Sequence, residues 1–200
     1  MTSPADVLAF WIGEASQSPD AFKAQQQKWF NGGPALDAEL RSRFGPLLEE
    51  LSTGTLASDW AETGPHGRLA AIIVLDQFSR NIFRKTPRAF AQDALALRLY
   101  KDGLARGEDF GLSEAERIFF YLPLEHSEDI TDQDRSVDMI FKLHAEARPG
   151  FETLTKSFLD YALEHRHAIR QFGRFPHRNA ILGRASTPDE LEWLAEGGGF

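Results

Sequence analysis

Apolar positions recur along most of this chain at spacings of three and four, the period of a helix that buries one face. Ser3-Pro4 with Asp6 marks a helix start ahead of Val7, Leu8, Trp11 and Ile12, and Gly13 marks its end. Residues 19–30 read as a second, more polar helix closed by Asn31-Gly32-Gly33. Leu36, Leu40 and Phe44 keep the period, and Gly45-Pro46 is expected to break the helix before Leu47, Leu48 and Leu51 resume it. Thr86-Pro87 opens a helix that Gly103 closes. Ser113 with Glu116, and Thr187 with Glu190, are capping boxes, in which a hydroxyl and a carboxylate satisfy orphan amides of a first turn. Thr131 precedes Val137, Ile140 and Phe141, and residues 151–172 carry Leu154, Phe158, Tyr161, His165, Ile169 and Phe172 at helical spacing. No alternating strand pattern exceeds four residues. The pattern predicts a single all-α domain over residues 1–200, with about eight helices packed as antiparallel pairs and a flexible glycine-rich tail at 197–200.

Two helices change character abruptly. Residues 67–83 are apolar on every side from Leu69 to Leu75, as expected of a helix surrounded by others, and then present Asp76, Gln77, Arg80 and Asn81. Asp76 and Arg80, and Gln77 and Asn81, are four apart, so each pair shares a face. Residues 113–130 are read as one helix with Ile118, Leu122, Glu125 and Asp129 on a stripe and His126 on the next. Its inner face passes from aliphatic to Glu, His and Asp within a turn, next to Pro123. Carboxylates beside a histidine suit general acid/base work.

Composition narrows the chemistry. The chain of 200 residues has no cysteine, which removes disulfides, thiol nucleophiles and thiolate metal sites. No apolar run approaches the about 20 residues of a membrane span, and no basic leader precedes an apolar segment, so a cytoplasmic protein without a membrane partner is expected. The net charge of −8 argues against a nucleic-acid partner. That charge is local: residues 102–138 carry eleven acidic and three basic side chains. Residues 165–184 carry five arginines, three histidines and no acid, and are expected to face the acidic stretch. Within them Arg174, His177, Arg178 and Asn179 form a third polar group. His165 and His167 point to opposite sides of a helix, so no metal set is expected. No phosphate-cradling glycine loop is present, so no cofactor is expected.

Three strings carry a family resemblance: LDQFSRNIFRKTPRAFAQD (75–93), ERIFFYLPLEHSED (116–129) and FGRFPHRNAILGRASTPDE (172–190). With VLAFWIG at 7–13 and KWF at 28–30, the chain resembles domain-of-unknown-function family 924, a bacterial family. The resemblance implies an all-helical, tetratricopeptide-like superhelix and no particular reaction. Ser79 stands where such proteins often carry proline.

Three functions remain open at this level. In one, Asp76, Gln77, Arg80 and Asn81, the group Glu125, His126 and Asp129, and the group Arg174, His177, Arg178 and Asn179 line one pocket for a small anionic metabolite. His126 would then be the acid or base, with Glu125 and Asp129 as its catalytic neighbours. In another, the helices form a scaffold for a protein or peptide, which an exposed patch of Trp11, Trp29, Phe30 or Trp60 would favour. In the last, the polar groups only lock helices in register.

Overall fold

In the computed structural model, which describes residues 2–199, eleven α-helices account for the regular structure and no strand is present among the described residues. They are α1 (Pro4–Trp11), α2 (Pro19–Asn31), α3 (Gly33–Ser52), α4 (Thr55–Glu62), α5 (Pro65–Ile73, continued by a π-turn Val74–Phe78 and by Ser79–Ile82) and α6 (Asp93–Ala105). There follow α7 (Glu114–Glu125), α8 (Ile130–Ala145), α9 (Glu152–Phe172), α10 (Asn179–Leu182) and α11 (Pro188–Ala195). The count exceeds the expected eight partly because α4 and the one-turn α10 carry too few apolar repeats to be read from periodicity. Residue 200, the end of the expected glycine-rich tail, lies outside the described residues. No helix among the described residues is long and apolar enough to cross a membrane.

Three of the predicted starts are built as expected. Ser3 Oγ accepts from Asp6 N while the Asp6 carboxylate accepts from Ser3 N, and the reciprocal boxes form at Ser113/Glu116 and Thr187/Glu190. Two breaks do not occur where Gly and Pro suggested them. Helix α3 runs through Pro46, because Leu36, Leu40, Phe44, Leu47, Leu48 and Leu51 all bury on one face while Pro46 sits on the exposed one. Gly103 does not end α6 but lies inside it; a Cβ there would come within 2.4 Å of Arg68 Cδ and 2.8 Å of Phe120 Cζ. Thr86-Pro87 opens only a 3-10 turn, Pro87–Phe90, and α6 starts at Asp93.

Helix α5 is the axis of the core. Leu69 through Leu75 are each fully buried, with α1, α3, α4, α6 and α7 packed around the helix and its π-turn. Trp11, Phe44, Trp29, Phe78 and Phe119 interlock beside it, with ring centroids 5.2 Å apart for Trp11–Phe78 and 4.6 Å for Trp29–Phe119. Trp11, Trp29 and Trp60 are all buried and of the four only Phe30 is exposed, so they form no exposed aromatic patch. The 102–138 surplus does face the basic stretch, but in part. Arg184 pairs with Glu128, and Arg166 and Arg170 pair with Asp134. Arg174 and Arg178 find acids outside it, Glu190 and Asp93.

A proline inside a helix forfeits one backbone bond and crowds the carbonyl four residues earlier. Pro46→Ala is therefore expected to stabilise the protein by about 1–3 kcal/mol in chemical denaturation. A lower stability would mean that the helix does not run through this position in solution.

Candidate functional site

The polar centre begins where α5 stops being apolar. The π-turn Val74–Phe78 adds a residue to the local turn, and such turns occur often at functional positions. Asp76, at its middle, is 1% exposed, while Gln77 and Arg80 reach the rim. A buried carboxylate needs several partners, and Asp76 has them. His126 Nδ1 lies 2.7 Å from Asp76 Oδ1, Arg80 Nη1 lies 3.2 Å from the same oxygen, and Gln77 Nε2 donates to Oδ2 at 2.5 Å. Burial pushes the Asp76 pKa up, but the Arg80 and His126 charges and their hydrogen bonds outweigh it, so the group sits well below the usual carboxylate value.

An ionised Asp76 has no proton to give, so His126 Nδ1 carries the hydrogen and donates it. Nε2 is then the lone-pair nitrogen. His126 is the C-cap of α7, with its backbone N–H on Leu122 O. Burial, then the Arg80 charge, lowers its pKa, against the opposite pull of Asp76. The imidazole is therefore neutral at pH 7.

Arg80 continues the chain of charges outward. It donates to both oxygens of Asp93, at 2.8 and 3.0 Å, and Arg178 Nη1 reaches Asp93 Oδ2 at 3.4 Å. Asp93 is the first residue of α6, so this pairing ties α5, α6 and the 3-10 turn Pro176–Arg178 together. Behind His126 sits a second pair. His165 Nδ1 donates to Tyr161 O at 2.9 Å and lies 3.5 Å from Glu125 Oε1. Burial, reinforced by the Asp76 charge, raises the Glu125 pKa to about 8. Burial, with His126, lowers that of His165 to about 3, so both are neutral and the contact is no ion pair. Burial and Arg178 lower His177 to about 4.

Seven of the eleven anticipated residues thus come together: Asp76, Gln77, Arg80, Glu125, His126, His177 and Arg178. Four do not. Asp129 is exposed and N-caps α8, accepting from Thr131 N at 2.7 Å and Asp132 N at 3.3 Å, because α7 ends at Glu125 and does not run on to residue 130. Asn81 turns to Asp37 on α3, at 2.9 Å, beside Arg84. Arg174 and Asn179 both bond Glu190, the capping-box acid of α11. Asp93 was not anticipated, since it read as the interior of a helix begun at Thr86; its only sequence signal was its place at the end of the string 75–93.

The centre opens only at its rim, where Gln77, Arg80, Phe90, Asp93, His126 and His177 are part-exposed. Two surface grooves are lined by other residues: one of about 360 Å³ at Phe110, Leu143 and Arg148, one of about 450 Å³ at Leu163, His167 and Trp193. Among the described residues no cluster of three or more His, Asp or Glu could hold a metal ion.

Glu125 gives a test by pH. Its raised pKa means the folded protein holds a proton that the unfolded chain releases above about 4.5, the ordinary value. Its contribution is whole below pH 4.5 and is lost as pH rises through about 8, by up to about 1.4 kcal/mol per pH unit. Glu125→Gln cannot ionise. Its stability relative to wild type should rise steadily from pH 5 to pH 8.5 in urea titrations; a constant gap would mean that Glu125 is ionised in the fold.

The family described as bacterial protein of unknown function (DUF924) matches residues 7–198. A solved structure of a protein of unknown function from Agrobacterium tumefaciens superposes with a TM-score of 0.79 at 37% identity, covering 97% of each chain. None of the curated proteins matches. With the match running over nearly its whole length, this chain belongs to the bacterial family DUF924.

Proposed function

We propose that the polar centre binds a small anionic metabolite and that His126 transfers a proton to or from it. The observation that carries this reading is the 2.7 Å contact between His126 Nδ1 and a carboxylate that is 1% exposed, on an imidazole that itself reaches the rim. Asp76 fixes the ring and its tautomer, stabilises the imidazolium that forms on proton uptake, and leaves Nε2 as the base. Arg80 is the nearest positive charge. It is held by Asp76 and Asp93 so firmly that its role is to shape the site and to keep His126 neutral at rest. Gln77 satisfies the second oxygen of Asp76 and so keeps the carboxylate from turning away from His126. No cysteine is available as a nucleophile, and a proton transfer needs none.

The reading is tested by thermal denaturation of the wild type and of His126→Asn over a panel of small carboxylates and phosphate esters. Asn keeps a donor for Asp76 and removes the base. A ligand present at 100 times its Kd adds about 2.7 kcal/mol of stability, a shift of several degrees for a chain of this size. We expect at least one panel member to stabilise both proteins, with any turnover confined to the wild type. If no small anion shifts the wild-type midpoint, the centre is not a ligand site.

A further inference from the structure

Among the described residues two arginines are buried, and they are treated very differently. Arg68 is 1% exposed and fully engaged: Nε and Nη2 grip Glu108 at 2.7 and 3.3 Å, Nη1 donates to Leu99 O at 3.2 Å and Nη2 to Ala61 O at 3.4 Å. This is what burying a guanidinium for structure requires, since an uncompensated buried charge costs several kcal/mol. Arg178 is 6% exposed, and its hydrogen bonding amounts to a single long contact, Nη1 to Asp93 Oδ2 at 3.4 Å. That carboxylate already receives two shorter bonds from Arg80. Arg178 Nε is buried without any acceptor. The guanidinium lies over two rings, 4.5 Å from Phe175 and 4.7 Å from Phe90, which set its plane but accept no hydrogen bond in that plane.

We infer that Arg178 is the anchor for the ligand's carboxylate, which meets the unused Nε edge of the guanidinium in plane. This inference rests on the proposed function and deepens it by naming the class of ligand. An arginine edge matches the two coplanar oxygens of a carboxylate, each taking one N–H. The charges of the centre already balance, so the case for a carboxylate rests on the unmet edge of the guanidinium. Arg80 and Arg178 face Asp76 and Asp93, the three histidines and Glu125 are neutral, and the neighbouring Glu128 is taken by Arg184. Burial, with the Arg80 charge, lowers the Arg178 pKa to about 10, against the pull of Asp93 and Glu128.

The probe is sodium acetate, with sodium phosphate and sodium chloride at matched ionic strength. The readouts are the side-chain Nε–H resonance of Arg178 and the His126 ring resonances in NMR, with circular dichroism as the check on folding. Arg178→Lys keeps the charge and loses the planar edge. We expect acetate to shift the Arg178 Nε–H resonance saturably, and its affinity to fall about tenfold or more in Arg178→Lys. Equal acetate affinity in wild type and Arg178→Lys overturns the anchor while leaving an anion site standing. Saturation of the Arg178 signal by phosphate but not acetate overturns the carboxylate class. If Arg178→Lys does not fold, the wild-type resonance decides alone: no movement with acetate overturns the inference. Acetate that moves Arg178 and leaves His126 unmoved supports the anchor and removes the shared site of the proposed function.

Discussion

Burying the Asp76 carboxylate at the end of a wholly apolar helix is the demand around which the neighbouring elements are arranged. An isolated buried charge would cost more than a small domain can offset, so partners must come from other helices and arrive in position. Arg80 and Gln77 come from the same helix, through the π-turn, and His126 comes from the end of α7. Arg80 in turn draws in Asp93 from α6, and Asp93 draws in Arg178 from the loop after α9. One carboxylate thus accounts for contacts among four segments far apart in sequence.

The same arrangement explains why the protonation states alternate. Close packing of Asp76, Glu125, His126 and His165 in a dry setting leaves room for only one negative charge among them. Asp76 keeps it because three proton-donating groups, Arg80, His126 and Gln77, face it, and Glu125, which has no such partners, stays protonated. The histidines stay neutral because burial and two nearby guanidiniums disfavour a third positive charge. A neutral imidazole held by a carboxylate at one nitrogen is poised to accept a proton at the other.

Aromatic packing and the charge chain divide the labour. Trp11, Trp29, Phe44, Phe78 and Phe119 fill the space beside α5 and hold α1, α2, α3 and α7 against it. The charge chain holds the other end, where Ala168, Ile169 and Phe175 form a separate small cluster with Trp193 against it. The C-terminal helices join the rest largely through polar contacts, among them Arg184 and Phe175 N on Glu128, and Arg178 on Asp93.

Most of the helices, the three capping boxes and the central position of α5 were legible from the chain, because they follow from spacing and from residues within one turn of each other. So was the local polarity at Asp76–Asn81 and Glu125–Asp129. Which of those residues meet was not legible. Asn81 lies one residue beyond Arg80 yet turns to α3, and Asp129 stops being a site candidate once α7 ends at Glu125 and the chain turns to begin α8. Asp93 entered only through Arg80, and Arg174 and Arg178, four apart, pair with acids on different helices. Periodicity reports on one helix at a time, whereas a charge pair is chosen by distance between helices. That distance exists only after the core has packed around α5.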